Sequence, residues 1–120
     1  MIWNKSLQRL KPHMAKKKYN VILAERADEM LIRHIEFLAQ VNPAAARKLL
    51  SEFKKAGSKL TSNPYQFPYA DALDIPGIAS EFFRKCLFNK RYKIIFVIDD
   101  YNVFIDAIID CRRENSDIFS

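Results

Sequence analysis

Phe82-Phe83-Arg84-Lys85-Cys86-Leu87-Phe88-Asn89-Lys90-Arg91-Tyr92-Lys93-Ile94-Ile95-Phe96-Val97-Ile98-Asp99-Asp100-Tyr101-Asn102-Val103-Phe104-Ile105-Asp106-Ala107-Ile108-Ile109-Asp110-Cys111 holds three runs rich in β-branched and aromatic residues. Two short polar breaks divide them, Asn89-Lys90-Arg91 and Asp99-Asp100. Tight breaks between such runs are hairpin signals, so the stretch predicts an antiparallel meander with strands over 82–88, 92–99 and 102–110. The chain continues as Arg112-Arg113-Glu114-Asn115-Ser116-Asp117-Ile118-Phe119. Five cations and no acid lie between Phe82 and Lys93. An apolar sheet is thus joined to concentrated positive charge, which suits an anionic partner.

Strand alternation puts Tyr92, Ile94, Phe96 and Ile98 on one face and Lys93, Ile95, Val97 and Asp99 on the other. The same rule splits the last strand into Val103, Ile105, Ala107, Ile109 and Cys111 against Phe104, Asp106, Ile108 and Asp110. One sheet face is then wholly apolar and must carry the helices, while the other is mixed. Asp106 and Asp110, on one face, are either a carboxylate pair for acid–base work or partners of Arg84, Lys85 or Lys93 across the sheet.

Upstream, Tyr19 to Glu25 is a short run with β-branched residues and predicts a strand. From Arg26 the period changes. Ala27, Met30, Leu31, His34, Ile35 and Leu38 fall on one helix face. His34 lies in that stripe and is expected to be a core-edge histidine rather than a base. Asn42-Pro43 restarts the chain with a good N-cap and a good first helical residue. Ala46, Leu49, Leu50, Phe53 and Leu60 continue at helical spacing to about Thr61, and Gly57 weakens this helix without ending it. Arg47, Lys48, Lys54, Lys55 and Lys59 form its solvated outer face. The short connection makes the pair an antiparallel α-hairpin. Residues 61–81, broken by Pro64, Pro68 and Pro76, are expected to be a loop pinned to the body by Tyr65, Phe67 and Tyr69.

The chain has 120 residues, 49% hydrophobic, with two glycines, which suits one compact domain. Its net charge of +6 is carried by residues 1–18, with six cations and no acid. Residues 19–120 balance, so a basic pI says little about the globular part. We read 1–18 as a basic extension and 19–120 as the domain. The extension is either an arm that touches phosphates or, with Met14 as the natural start, largely dispensable. No apolar run approaches the roughly 20 residues of a membrane span, and no secretory signal is evident. Cys86 and Cys111 lack metal or redox spacing and are expected to be reduced thiols of a cytoplasmic protein, although they could face each other across the sheet. No phosphate-binding glycine loop, metal cluster or serine nucleophile motif is present, so neither a metal nor a cofactor is expected.

The order strand, α-hairpin, loop, meander, ending in Arg112-Arg113, resembles the RelE/ParE family of bacterial type II toxins. Lys90-Arg91-Tyr92-Lys93-Ile94-Ile95-Phe96-Val97-Ile98-Asp99-Asp100 is similar to the family's central strand and acidic turn. Ile108-Ile109-Asp110-Cys111-Arg112-Arg113-Glu114-Asn115-Ser116-Asp117-Ile118-Phe119 is similar to its exit from the last strand. The resemblance covers roughly Tyr19 to Phe119. It implies a two-layer α+β fold with the helices on one face. It also implies a toxin neutralised by an antitoxin protein and directed at DNA gyrase or at messenger RNA on the ribosome. A toxin-like binding module without activity, serving antitoxin binding or operon regulation, is the alternative. The nucleolytic members use cations and a C-terminal tyrosine. Here the candidate catalytic residues are Arg113, Arg84 and Phe119, with Lys85, Lys90, Arg91 and Arg112 as target-binding cations. Phe119 stands where the tyrosine is expected and has no hydroxyl to move a proton. That makes a ParE-like, non-nucleolytic mode at least as strong a reading as a slow messenger nuclease in which Tyr92 or His34 takes over the proton.

Overall fold

A computed structural model describes residues 19–70 and 82–111. The first strand, β1, is Asn20–Leu23; helix α1 spans Glu25–Val41 and helix α2 Pro43–Ser62. Strands β2 (Arg84–Phe88), β3 (Tyr92–Asp99) and β4 (Asn102–Asp110) follow. These bounds agree with the patterning to within two residues at each strand end. A short 3-10 turn, Pro64–Gln66, lies in the segment expected to be irregular.

Local chemistry explains the helices. Asn42 ends α1 and starts α2; its side-chain oxygen accepts from the backbone N–H of Ala44 and Ala45 at 3.1 and 3.3 Å. Pro43 occupies the first helical position, where its missing N–H costs nothing. Gly57 is buried in mid-helix and its carbonyl accepts the Thr61 hydroxyl at 3.0 Å. Arg47, Lys48, Lys54, Lys55 and Lys59 are all exposed, as a solvated face requires.

The sheet order is β1-β4-β3-β2. The three meander strands are antiparallel, and β1 lies parallel to β4 with Asn20 opposite Asn102 and Leu23 opposite Ile105. The α-hairpin therefore carries the chain from one sheet edge to the other. Both helices cover one face. Ala27, Leu31, Leu49, Phe53, Ala56 and Leu60 pack with Val21, Leu23, Cys86, Phe88, Tyr92, Ile94, Phe96, Val103, Ile105 and Ile108 in one core. A smaller cluster, Ala70, Ile95 and Ala107, joins Met30, Phe83 and Ile109.

One expectation about the last strand is corrected. The register slips at Asp106: Ile95 opposes Ala107, but Phe96 opposes Ile105. Such a bulge inverts the inside–outside phase beyond it. Val103 and Ile105 face the helices as expected, yet further along it is Ile108 and Asp110 that do so, with Ala107 and Ile109 on the other side. Asp110 is buried and opposes Tyr92.

Candidate functional site

The turn between β2 and β3 delivers the first candidate cations. Asn89 and Lys90 both take positive φ, 50° and 67°, which lets three residues reverse the chain between Phe88 and Tyr92. Lys90 is exposed at the tip. Arg91 turns back toward the sheet, where its Nη2 donates to Asp110 Oδ2 at 2.9 Å and its guanidinium sits 5.1 Å from the Tyr92 ring. Its Nε is buried without a hydrogen-bond partner. Burial works against the charge of Arg91. The hydrogen bond it donates to Asp110, with the charges of Tyr92 and Asp110, outweighs it and holds the guanidinium above its ordinary pKa. Arg91 therefore stays a cation at any accessible pH.

Beside this ion pair, α1 and the ends of β3 and β4 enclose a cleft of about 300 Å³, lined by Met30, Arg33, His34, Phe37, Tyr92 and Asp110. The His34 ring is 5.3 Å from that of Tyr92, and His34 Nε2 donates to the Ile108 carbonyl at 2.9 Å. A carbonyl can only accept, so that nitrogen carries the proton. The bond ties α1 to β4, the role expected of a core-edge histidine.

Arg84 lies elsewhere. It opposes Phe96 on β3, four strand residues from the Phe88–Tyr92 pair, roughly 13 Å along the sheet. Its Nη1 donates to the Phe67 carbonyl at 2.7 Å, and its guanidinium lies 4.1 Å from the Tyr69 ring and 5.1 Å from that of Tyr65. The side chain thus holds residues 65–69 against the sheet, with Phe67 edge-on to Phe96. Lys85 opposes Ile95 on the face away from the α-hairpin, and its backbone N–H donates to Pro68. Lys93, which the sequence reading left out of the candidate set, is on the same face opposite Leu87 and Ile109 and is only 5% exposed. The signal for it was a lone cation in an otherwise apolar run. Arg112, Arg113 and Phe119 lie outside the described residues, as does the basic extension 1–18; the chain reaches Arg112 directly from Cys111 at the end of β4.

The candidate residues therefore divide. Arg84 and Arg91 take up separate tasks within the fold, while Lys85 and Lys93 share the sheet face opposite the helices. Lysines on a sheet face can bind phosphate or carboxylate groups. Among the described residues no three His, Cys, Asp or Glu side chains gather to hold a metal ion, and no helix is long and apolar enough to cross a membrane. Cys86 and Cys111 are not joined in a disulfide.

No family model matches the chain, and no curated protein matches it. Among solved structures, a chain of the "Chromosomal ParDE TA system from P. aeruginosa" superposes with a TM-score of 0.61. The match covers 78% of this chain and 97% of that one, at 14% identity. At such identity the likeness is one of fold, and it takes in nearly the whole of the other chain. An α-hairpin laid on one face of a β1-β4-β3-β2 sheet is thus, in this protein, the RelE/ParE-like fold.

Proposed function

We propose that the chain is the toxin of a type II toxin–antitoxin pair, acting in the cytoplasm on a macromolecular target and silenced by an antitoxin. The observation that carries this reading is the fold likeness to a ParDE toxin–antitoxin chain along 97% of that chain. The groove beside the hairpin supports an antitoxin partner. Phe37, which lines the cleft, and Val41, one turn further along α1, are 62% and 78% exposed. Such a stripe suits the apolar side of a partner helix or strand. The exposed cations of α2 suit an acidic one.

Between the two modes of action we favour the non-nucleolytic, ParE-like one, with DNA gyrase as target. Arg84 is held between Tyr65 and Tyr69 and Arg91 by Asp110, so neither is open to a scissile phosphate. Phe119 cannot transfer a proton, a contribution worth on the order of 10²–10⁴-fold in rate. Arg112 and Arg113 remain the functional cations of this reading.

Induction of the protein alone should arrest growth, and co-expression of the neighbouring gene product should relieve it. Purified protein should inhibit gyrase supercoiling, and Arg113→Ala should abolish that. Messenger cleavage on purified ribosomes should be slow or absent, and Phe119→Tyr should raise it only in a nuclease. Fast wild-type cleavage that survives Arg113→Ala would overturn the assignment of both mode and residues. A protein that neither slows growth nor co-purifies with its neighbour would favour the inactive binding module.

A further inference from the structure

A row of aromatic rings crosses the end of the sheet at which β3 turns into β4. The Tyr101 ring is 6.0 Å from Tyr19, and Tyr19 is 6.1 Å from Tyr65. The Arg84 guanidinium then links Tyr65 to Tyr69. Four of the five tyrosines in the chain therefore form one continuous strip; the fifth, Tyr92, is in the core. Tyr65, Tyr69 and Tyr101 remain 54%, 48% and 64% exposed. The strip is more than a clamp on the 65–69 segment, because Tyr101 belongs to the β3–β4 turn and not to that segment.

One half of the strip already displays the chemistry it favours, a guanidinium laid against two tyrosine faces. The other half repeats the rings with no cation laid against them among the described residues. There the neighbours are Asp99 and Asp100, both exposed. The backbone at this turn is well set: the Tyr101 carbonyl accepts from Asn20 N–H at 2.8 Å, and Asp100 takes a φ of 59°. A cation stacked on Tyr101 would gain from the negative face of the ring and from the two exposed carboxylates that precede it in the turn. Phosphates would meet those same carboxylates, which argues against a nucleic acid. The chain as a whole carries +6, so it repels cations at long range and any attraction here has to be local.

We propose that Tyr101 and Tyr19, with Asp99 and Asp100, form a docking surface for an arginine-bearing segment of a partner protein. This surface is separate from the α1 cleft and from Lys85 and Lys93, and it stands whether or not the chain is a toxin. The test is a titration of the full-length protein with a hexa-arginine peptide, followed by NMR at the amides and tyrosine rings. Shifts should concentrate at Asp99, Asp100, Tyr101 and Tyr19 and should shrink with added salt. Tyr101→Leu should weaken binding about fivefold, whereas Tyr101→Phe, which keeps the ring, should stay within about twofold of wild type. Asp99→Asn combined with Asp100→Asn should weaken it as well. Absence of shifts at these residues overturns the proposal, as does a Tyr101→Leu variant that binds like wild type. Tighter binding of decathymidylate than of the peptide at the same signals would also overturn it, in favour of a nucleic-acid surface.

Discussion

Asp110 shows how a single side chain is given its role by the tertiary structure. It is 6% exposed and holds Arg91 at 2.9 Å. Removing one member of a buried ion pair leaves the other charge uncompensated, which costs about 3–5 kcal/mol in full burial. The Arg91 side chain keeps 23% of its exposure, so solvent recovers part of that loss. Asp110→Ala should therefore destabilise by about 2–3 kcal/mol, read as a lower urea midpoint, and the double change Arg91→Met with Asp110→Leu should restore most of it. Cys86 makes the second case. Burial pushes its thiol up from 9.0 to about 11, against a smaller downward pull from Lys59. The folded pKa lies above the unfolded one, so the neutral thiol stabilises fully below about pH 9 and that contribution is lost as pH rises through about 11. Urea melts across this window should show wild type losing on the order of 2 kcal/mol more than Cys86→Ala. At pH 8 in the native state Cys111, half-buried at the end of β4, should react with a thiol reagent well before Cys86.

The secondary elements themselves are mostly local products. Asn42 was readable as a cap from the dipeptide Asn42-Pro43 alone, and it caps through two backbone N–H groups. Asn42→Ala should cost about 1 kcal/mol and lower the melting midpoint by about 4 °C. The β2–β3 turn was equally visible as Asn89-Lys90-Arg91, and here the sequence departs from the turn's preference. Asparagine tolerates positive φ, but a lysine there places its Cβ against the carbonyl at a cost of about 1 kcal/mol. Lys90→Gly should stabilise the protein by about 0.5 kcal/mol, the relief being offset in part by the greater freedom of glycine in the unfolded chain. Chemical denaturation of the two proteins side by side checks this. The bulge in β4 was not readable. Nothing in Phe104-Ile105-Asp106-Ala107-Ile108 marks a register slip, since an apolar residue stands on either side of the slip in both phases.

For the molecule as a whole, the α-hairpin and the sheet share one core among the described residues. Residues 1–13 carry Lys5, Arg9 and Lys11 and no acid. A version beginning at Met14 should melt within about 5 °C of the full chain, a difference below roughly 1 kcal/mol for a domain of this size. A larger drop in thermal scans would mean that the extension docks on the body.

Strand and helix identity, the α-hairpin, the meander and the side of the sheet that carries the helices were all legible from spacing. Each depends on contacts between near neighbours and on the need to bury an apolar face. The RelE/ParE resemblance rested on the same local order. Three features were not legible. Pairing of β1 with β4 joins residues about eighty apart, and a strand of four residues carries no mark of its partner. The separation of Arg84 from Arg91 follows from which ring or carboxylate each guanidinium reaches, Tyr69 for one and Asp110 for the other. The cleft that joins His34 to Tyr92 and Asp110 exists because the bulge turns Asp110 toward α1. Periodicity tells which way a side chain points only while the register holds; long-range pairing sets the register, and so it also selects which side chains meet.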